Sequence, residues 1–352
     1  MPDMRFAPPP SLRIAAQTTG LNSVAVRSTN ERIILSHLVQ HRALSRLELG
    51  QKSGLSAQTI SVISRALQRD GLIVAGEAQR GRVGPPTIPV VLNPDGAFGL
   101  GVSLGPHGID TVLAGLTGAT AGADHMPRPA DADPLDGLAL AVRTALDRLD
   151  ARKRARLAGI GVALPSDLGP WADVLSDGAR LETRLEAETG LPIFIQNGVT
   201  AATGAESIFG AARGLSEFLY AHVGPTTEFR LVLQHRVYAG EAAGTPGLDS
   251  LATQADEGGM MRWDRIGDTD LERWLARVVD AIAVRIAALS AFVRIPDVLV
   301  AGPLPSSVRN RVIDGLAAAL SDHAVAAGAI ADDSIATGAA TLPITARYLQ
   351  HS

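Results

Sequence analysis

The 352-residue sequence predicts an α/β protein: a small helical module with a hairpin at the N-terminus, followed by two related α/β lobes. Three observations predict it. Apolar residues recur at helical spacing over residues 31–70, with capping signals between the stretches. From residue 97 the pattern changes to short apolar strands alternating with amphipathic helices, and this succession occurs twice. The length, finally, exceeds what one compact core organises.

The first helix is expected over Glu31–Gln40, where Ile33, Ile34, Leu35, Leu38 and Val39 form one stripe. Ser45-Arg46-Leu47-Glu48 has the form of a capping box, which opens a short second helix. Gly54 then permits a tight turn and Ser56 is a second N-cap. A longer helix follows from Ala57 to about Asp70, with Ile60, Ile63 and Leu67 on one face and Gly71 to end it. Helix, short helix, glycine turn and polar-faced helix is the order of a helix-turn-helix. An ordinary three-helix bundle is the alternative reading. The third helix would present Gln58, Thr59, Ser61, Arg65 and Gln68 outward. With Ser45, Arg46 and Ser56 at the helix starts, these are the expected DNA contacts, since short polar side chains near a helix N-terminus reach base edges and phosphates. Leu72–Val74 and Ile88–Leu92 read as the strands of a wing. Its Gly/Pro-rich tip carries Arg80 and Arg82, suited to minor-groove or phosphate contact; a flexible linker with two solvated arginines is the other reading.

Charge follows the same division. Residues 1–92 hold eleven Lys or Arg against five Asp or Glu, a net +6, which leaves −10 on the rest of a chain whose total is −4. A basic head on an acidic body is a footprint of nucleic-acid binding. The chain has no cysteine, which excludes disulfides and thiolate zinc sites. Residues 1–20, with Pro8-Pro9-Pro10 and no long apolar run, read as a mobile tail rather than a signal peptide. No stretch is long and apolar enough to span a membrane, so a cytoplasmic protein is expected.

In the body, strands are expected at Phe98–Leu104, Ile109–Ala114, Leu157–Leu164, Pro192–Gln196, Glu217–Val223, Phe229–Leu233 and Asp297–Ala301. Helices are expected at Pro134–Leu149, Leu181–Thr189, Val199–Phe209, about Asp270–Val293 and Ser307–Leu320. The basic run Arg152–Arg156 reads as the solvated end of the Pro134–Leu149 helix, or else as a further anion contact.

Five stretches in order, covering about residues 28–350 with the N-terminal module, carry a resemblance: "NPDGAFGLGVSLGPHGIDTVLAGLTG", "GIGVALPSDLG", "ETGLPIFIQNGVTAATGAESIFGAARG", "IPDVLVAGPLPSS" and "TGAATLPITARYL". Together they resemble the ROK family, which groups sugar-responsive repressors with sugar kinases. The resemblance implies a winged helix-turn-helix over residues 21–93. It implies two actin-like (ribonuclease H-like) lobes, 97–196 closed by a C-terminal helix at 337–352, and 197–336. It also implies a transcriptional regulator, and from the family's habit a repressor of carbohydrate genes. As a homodimer or homotetramer it would bind double-stranded DNA at a palindromic operator, with a sugar or sugar-derived effector.

The chain departs from the kinase pattern of that family at each place where chemistry would be done. Asn197-Gly198 stands where kinases carry Asn-Asp, and glycine cannot act as general base. The two phosphate loops correspond to Ser103–Gly108 and Gly224–Glu228. Pro106 and Pro225 remove backbone donors there, and Glu228 adds negative charge. Thr245 and Leu248 occupy the places of a sugar-binding glutamate and a zinc-binding histidine. No catalytic residue, metal or cofactor is therefore expected. Asn197, Trp171 and Thr245 remain as candidate effector contacts, the amide for its double hydrogen-bonding capacity and the indole as a stacking surface. Two alternatives stay open: a surviving sugar kinase fused to a DNA reader, and a regulator whose body binds a protein partner.

Overall fold

The computed structural model describes residues 23–78, 88–105, 108–127, 133–166, 178–239, 263–330 and 334–350, with isolated positions 175, 245, 247, 248, 250 and 251; side chains are described from residue 29. The N-terminal module comprises α1 (Ser23–His41), β1 (Ala43–Leu44), α2 (Arg46–Ser53), α3 (Ala57–Arg69), β2 (Ile73–Ala75) and β3 (Val90–Leu92). β3 pairs antiparallel with both β1 and β2. The apolar stripes meet in one core of Ile34, Leu38, Leu49, Ile60, Ile63, Leu67 and Ile73. α1 starts at Ser23 rather than Glu31.

The body holds two five-stranded sheets of identical topology. The first contains β4 (Phe98–Leu104), β5 (Gly108–Gly115), β6 (Thr120–Pro127), β7 (Leu157–Leu164) and β8 (Ile193–Asn197), ordered β6-β5-β4-β7-β8. The second contains β9 (Phe218–Val223), β10 (Thr227–Leu233), β11 (Arg236–Ala239), β12 (Asp297–Ala301) and β13 (Ala324–Ala327), ordered β11-β10-β9-β12-β13. In each, the first three strands form an antiparallel meander and the last two are added in parallel. Parallel strands need crossovers, which helices supply. α4 (Pro134–Asp147) and α6 (Gly178–Thr189) cover the first sheet around Leu138, Val142, Leu181 and Leu185. α8 (Asp268–Ser290) and α9 (Ser306–Ala319) cover the second around Trp274, Val278, Ile282 and Val312. α7 (Gly198–Ile208) and α10 (Ser334–Tyr348) pack against each other, α10 also on the first sheet and α7 also on the second.

Glycines on neighbouring strands let α10 approach. A Cβ at Gly99, Gly101 or Gly161 would stand 2.0, 2.0 and 1.9 Å from the backbone oxygens of Ala340, Ala336 and Ala339. Gly101 and Gly161 are register partners across β4 and β7. The helix backbone thus rests on a floor without side chains.

Strands β1, β6, β11 and β13 lie beyond the sequence expectations. The basic run is also corrected. The preceding helix ends at Asp147, and Ala151–Ala155 form a separate turn, α5, in which Lys153 N donates to Asp150 Oδ1 at 2.8 Å. Arg156 turns back and donates from Nη1 to Gly96 O at 2.9 Å, tying the sheet to the linker after the hairpin.

Candidate functional site

Two regions gather polar side chains for which the fold alone gives little reason: the outward face of α3 and the start of α7.

The DNA-facing candidates depend on two capped helices. Ser45 N donates to Glu48 Oε2 at 2.7 Å and Glu48 N to Ser45 Oγ at 3.2 Å, a complete capping box. The Ser45 backbone N–H holds the Glu48 carboxyl below its ordinary range. Gly54, at φ 70°, closes α2 in the left-handed region. Ser56 then caps α3, accepting from Thr59 N at 3.2 Å while its hydroxyl pairs with Thr59 Oγ1 at 2.9 Å. Ser45 and Ser56 therefore aim the two helix N-termini, whose free N–H groups favour anions. Gln58 and Arg65 are exposed, Arg46 also, whereas Thr59, Ser61 and Gln68 are half-buried. Arg65 folds back on its own helix, donating from Nε to Ser61 O at 3.2 Å. The sequence reading left out two exposed members of this face, Val62 and Arg69. Arg80 and Arg82 lie outside the described residues, as does Trp171.

The module is joined to the body rather than tethered beside it. Gln350 N donates to Ser36 Oγ at 2.8 Å, and Asn93 Nδ2 to Gly71 O at 2.7 Å. Ala336, Ala340, Ile344 and Leu349 belong to the same buried cluster as the helices of the head. A crevice of about 730 Å³ runs along this seam, lined by Arg32, Leu67, Asp70, Arg156 and Tyr348 among others.

At the second region, Asn197 ends β8 and caps α7. Its Oδ1 accepts from Thr200 N at 3.1 Å and from Arg230 Nη2 at 2.5 Å, and its Nδ2 donates to Ser166 Oγ at 2.8 Å. Arg230, with a side chain only 3 % exposed, further donates from Nε to Thr200 Oγ1 at 2.8 Å and from Nη1 to Phe229 O at 2.8 Å. Glu228 is its ion-pair partner at 3.2 Å and also accepts from Ser166 Oγ. Both lobes meet in this network, through Ser166 after β7 and through Glu228 and Arg230 on β10. Burial pulls the Arg230 pKa down while the Glu228 carboxylate pushes it back up. A charge taken from water is tolerable only when paired and hydrogen-bonded in this way.

Gly198, the residue after Asn197, is closely covered: a Cβ there would stand 2.8 Å from Ile335 Cγ2, so any side chain would displace that isoleucine. The Asn197 side chain already uses its oxygen and one of its two N–H donors. His222, opposite Glu228 on β9, is 6 % exposed, and its Nδ1 has no partner among the described residues. Burial, helped by Arg230, pushes its pKa down to about 4. Thr245 is 2 % exposed, and its Oγ1 likewise lacks a partner among the described residues. Sequence reasoning missed Arg230 and His222. The available signal was a charge at an inward position of an otherwise apolar strand, Phe229–Leu233.

Comparison with known proteins places both regions in a family frame. Residues 27–74 match a model described as winged helix-turn-helix DNA-binding, and residues 99–259 match the ROK family. The protein y4fQ of Sinorhizobium fredii is 24 % identical, over 82 % of this chain and 81 % of its own. The xylose repressor of Bacillus spizizenii is 21 % identical over 61 % of this chain, and the match spans 58 % of the repressor's length. Among solved structures, a ROK family transcriptional regulator that is a homolog of the E. coli MLC protein superposes with a TM-score of 0.64. It is 17 % identical, over 92 % of this chain and 97 % of its own. The chain thus carries a winged helix-turn-helix ahead of a body with a ROK family domain.

Proposed function

We propose that the chain is a DNA-binding transcriptional regulator, a repressor of carbohydrate-related genes, with a body that performs no phosphoryl transfer. The observation that carries the reading is α3, a capped helix whose apolar face is buried in the head while Gln58, Arg65 and Arg69 are exposed on the other. That is the form of an element laid in a major groove. The net +6 of residues 1–92 supplies the non-specific attraction. The names of relatives, xylose repressor and N-acetylglucosamine repressor, support the carbohydrate link.

The non-catalytic reading rests on Gly198, which cannot take a proton, and is supported by Arg230, whose guanidinium occupies the amide oxygen of the neighbouring Asn197. We assign residues 21–93 to DNA binding and the lobes over 97–336 to effector sensing, with the C-terminal helix closing the first lobe. A homodimer would set two copies of α3 one DNA turn apart on a palindromic operator. Ser45, Arg46, Ser56, Thr59, Ser61 and Gln68 complete the proposed contacts near α2 and α3. Asn197 and Thr245 are proposed to respond to a sugar-derived effector through rearrangement of the Arg230 network. No helix among the described residues is long and apolar enough to cross a membrane.

The test is a titration of the full chain against DNA upstream of its own gene, across a salt series. A preference over random duplex that survives rising salt is expected, because base readout, unlike phosphate attraction, is not released with counterions. Equal binding to both duplexes at every salt concentration would refute the reading.

A further inference from the structure

The outward face of α3 is a single line of side chains. Gln58, Val62, Arg65 and Arg69 are all exposed, at i, i+4, i+7 and i+11. Three of the four are polar. The exception, Val62, is 50 % exposed, whereas Ile60, Ile63 and Leu67 on the opposite side are buried. An exposed valine is unremarkable on most surfaces. This one stands in the middle of a polar line, on the helix that the proposed function lays against base edges. It also follows Gln58 by one turn, near the capped N-terminal end that reaches deepest into a groove.

The chemistry of that position is narrow. A branched aliphatic side chain offers neither donor nor acceptor. In the major groove its one favourable partner is the thymine 5-methyl group; against cytosine it would bury an N4 amino donor without an acceptor. Four residues of helix advance about 6 Å, close to two base steps of about 3.4 Å. Gln58 suits adenine, which offers N6 and N7 together. Arg65 cannot contribute to the same reading until it leaves Ser61.

We infer that Val62 is a specificity-determining residue that packs on the 5-methyl group of a thymine, within about two base pairs of an adenine read by Gln58. The inference rests on the DNA-binding reading above and adds to it the base that one particular residue selects.

The test begins with selection of preferred duplexes from a random library by the full chain. Each thymine of the selected half-site is then replaced singly by uracil, which removes only the methyl group. One such replacement should weaken wild-type binding by about three- to five-fold, the worth of one methyl contact. Val62→Ala should be indifferent to that same replacement while keeping the wild-type circular dichroism and melting temperature, since the valine is half exposed and lies outside the buried core. 5-Methylcytosine at that position should bind wild type better than cytosine does. If no thymine is sensitive, if the selected half-site contains none, or if Val62→Ala remains as sensitive as wild type, the inference is overturned while the DNA-binding reading stands. If selection yields no preferred sequence, both fall.

Discussion

His222 makes stability depend on pH in a calculable way. It lies on β9, a strand paired on both sides, with its ring stacked on Tyr220 at 6.4 Å between centroids. Burial and the nearby Arg230 charge lower its pKa from 6.5 to about 4. The folded protein therefore refuses a proton that the unfolded chain accepts once the pH falls below about 6.5. Stability from the neutral imidazole is fully present above that pH. It drains away as the pH drops toward 4 and is constant below it. A difference of about 2.5 units at about 1.4 kcal/mol each amounts to roughly 3 kcal/mol. Other groups titrate over the same range, so the measurement is a difference. Urea unfolding of wild type and of His222→Phe, which keeps the ring but not the proton, would be followed from pH 7 to pH 4. Tryptophan fluorescence reports on the same lobe through Trp263 and Trp274, which pack edge-to-face. The stability difference between the two proteins should shift by about 3 kcal/mol in favour of the variant as the pH falls. Parallel curves would refute the argument.

Two further outcomes follow from the packing. Gly161→Ala would drive a methyl group into the backbone oxygen of Ala339 at 1.9 Å, so α10 must lift. The melting temperature should fall by the equivalent of about 3 kcal/mol or more, whereas Gly204→Ala, with open space around it within α7, should be neutral or slightly stabilising. Arg230→Met would leave the Glu228 carboxylate without its ion-pair partner and take one donor from Asn197 Oδ1. A loss of about 3–5 kcal/mol is expected in urea unfolding, with the Arg230→Met, Glu228→Gln pair losing less than the single variant. A double variant as damaged as the sum of its parts would show the ion pair to be energetically idle.

The sequence is most legible where local chemistry decides the structure. Ser45, Glu48, Gly54 and Ser56 each do in the fold what their side chains, or the lack of one, dispose them to do, and α2 and α3 lie within a residue or two of expectation. The missed strands were too short or too exposed for a buried face to betray them. Nearly every residue of β6 is exposed, so no alternation marks it. β13 is the edge sequence Ala-Val-Ala-Ala, half-buried at most. The early turns of α1 contain Ser-Val-Ala-Val-Arg-Ser-Thr-Asn, which has no helical stripe. The Asn197 region was legible only as a set of departures from the family pattern. That Gly198 follows Asn197 where the resemblance implies an acid is read in one dimension. That Arg230, thirty-two residues later, reaches its neighbour Asn197 depends on the pairing of β9 with β10 and on the seat of α7 against that sheet.

The core of the N-terminal head is completed by side chains from the last helix of the body, with Leu349 and Ile344 in one buried cluster with Leu35 and Ile63. During synthesis the ribosome delivers those residues some three hundred positions after α1. The DNA-reading module therefore spends most of translation with one wall missing, and it gains its final rigidity only when α10 docks on the glycine floor. A nascent or truncated chain would carry the basic surface without a firm frame for it. Affinity for DNA would then report that the chain through α10 has been made and folded.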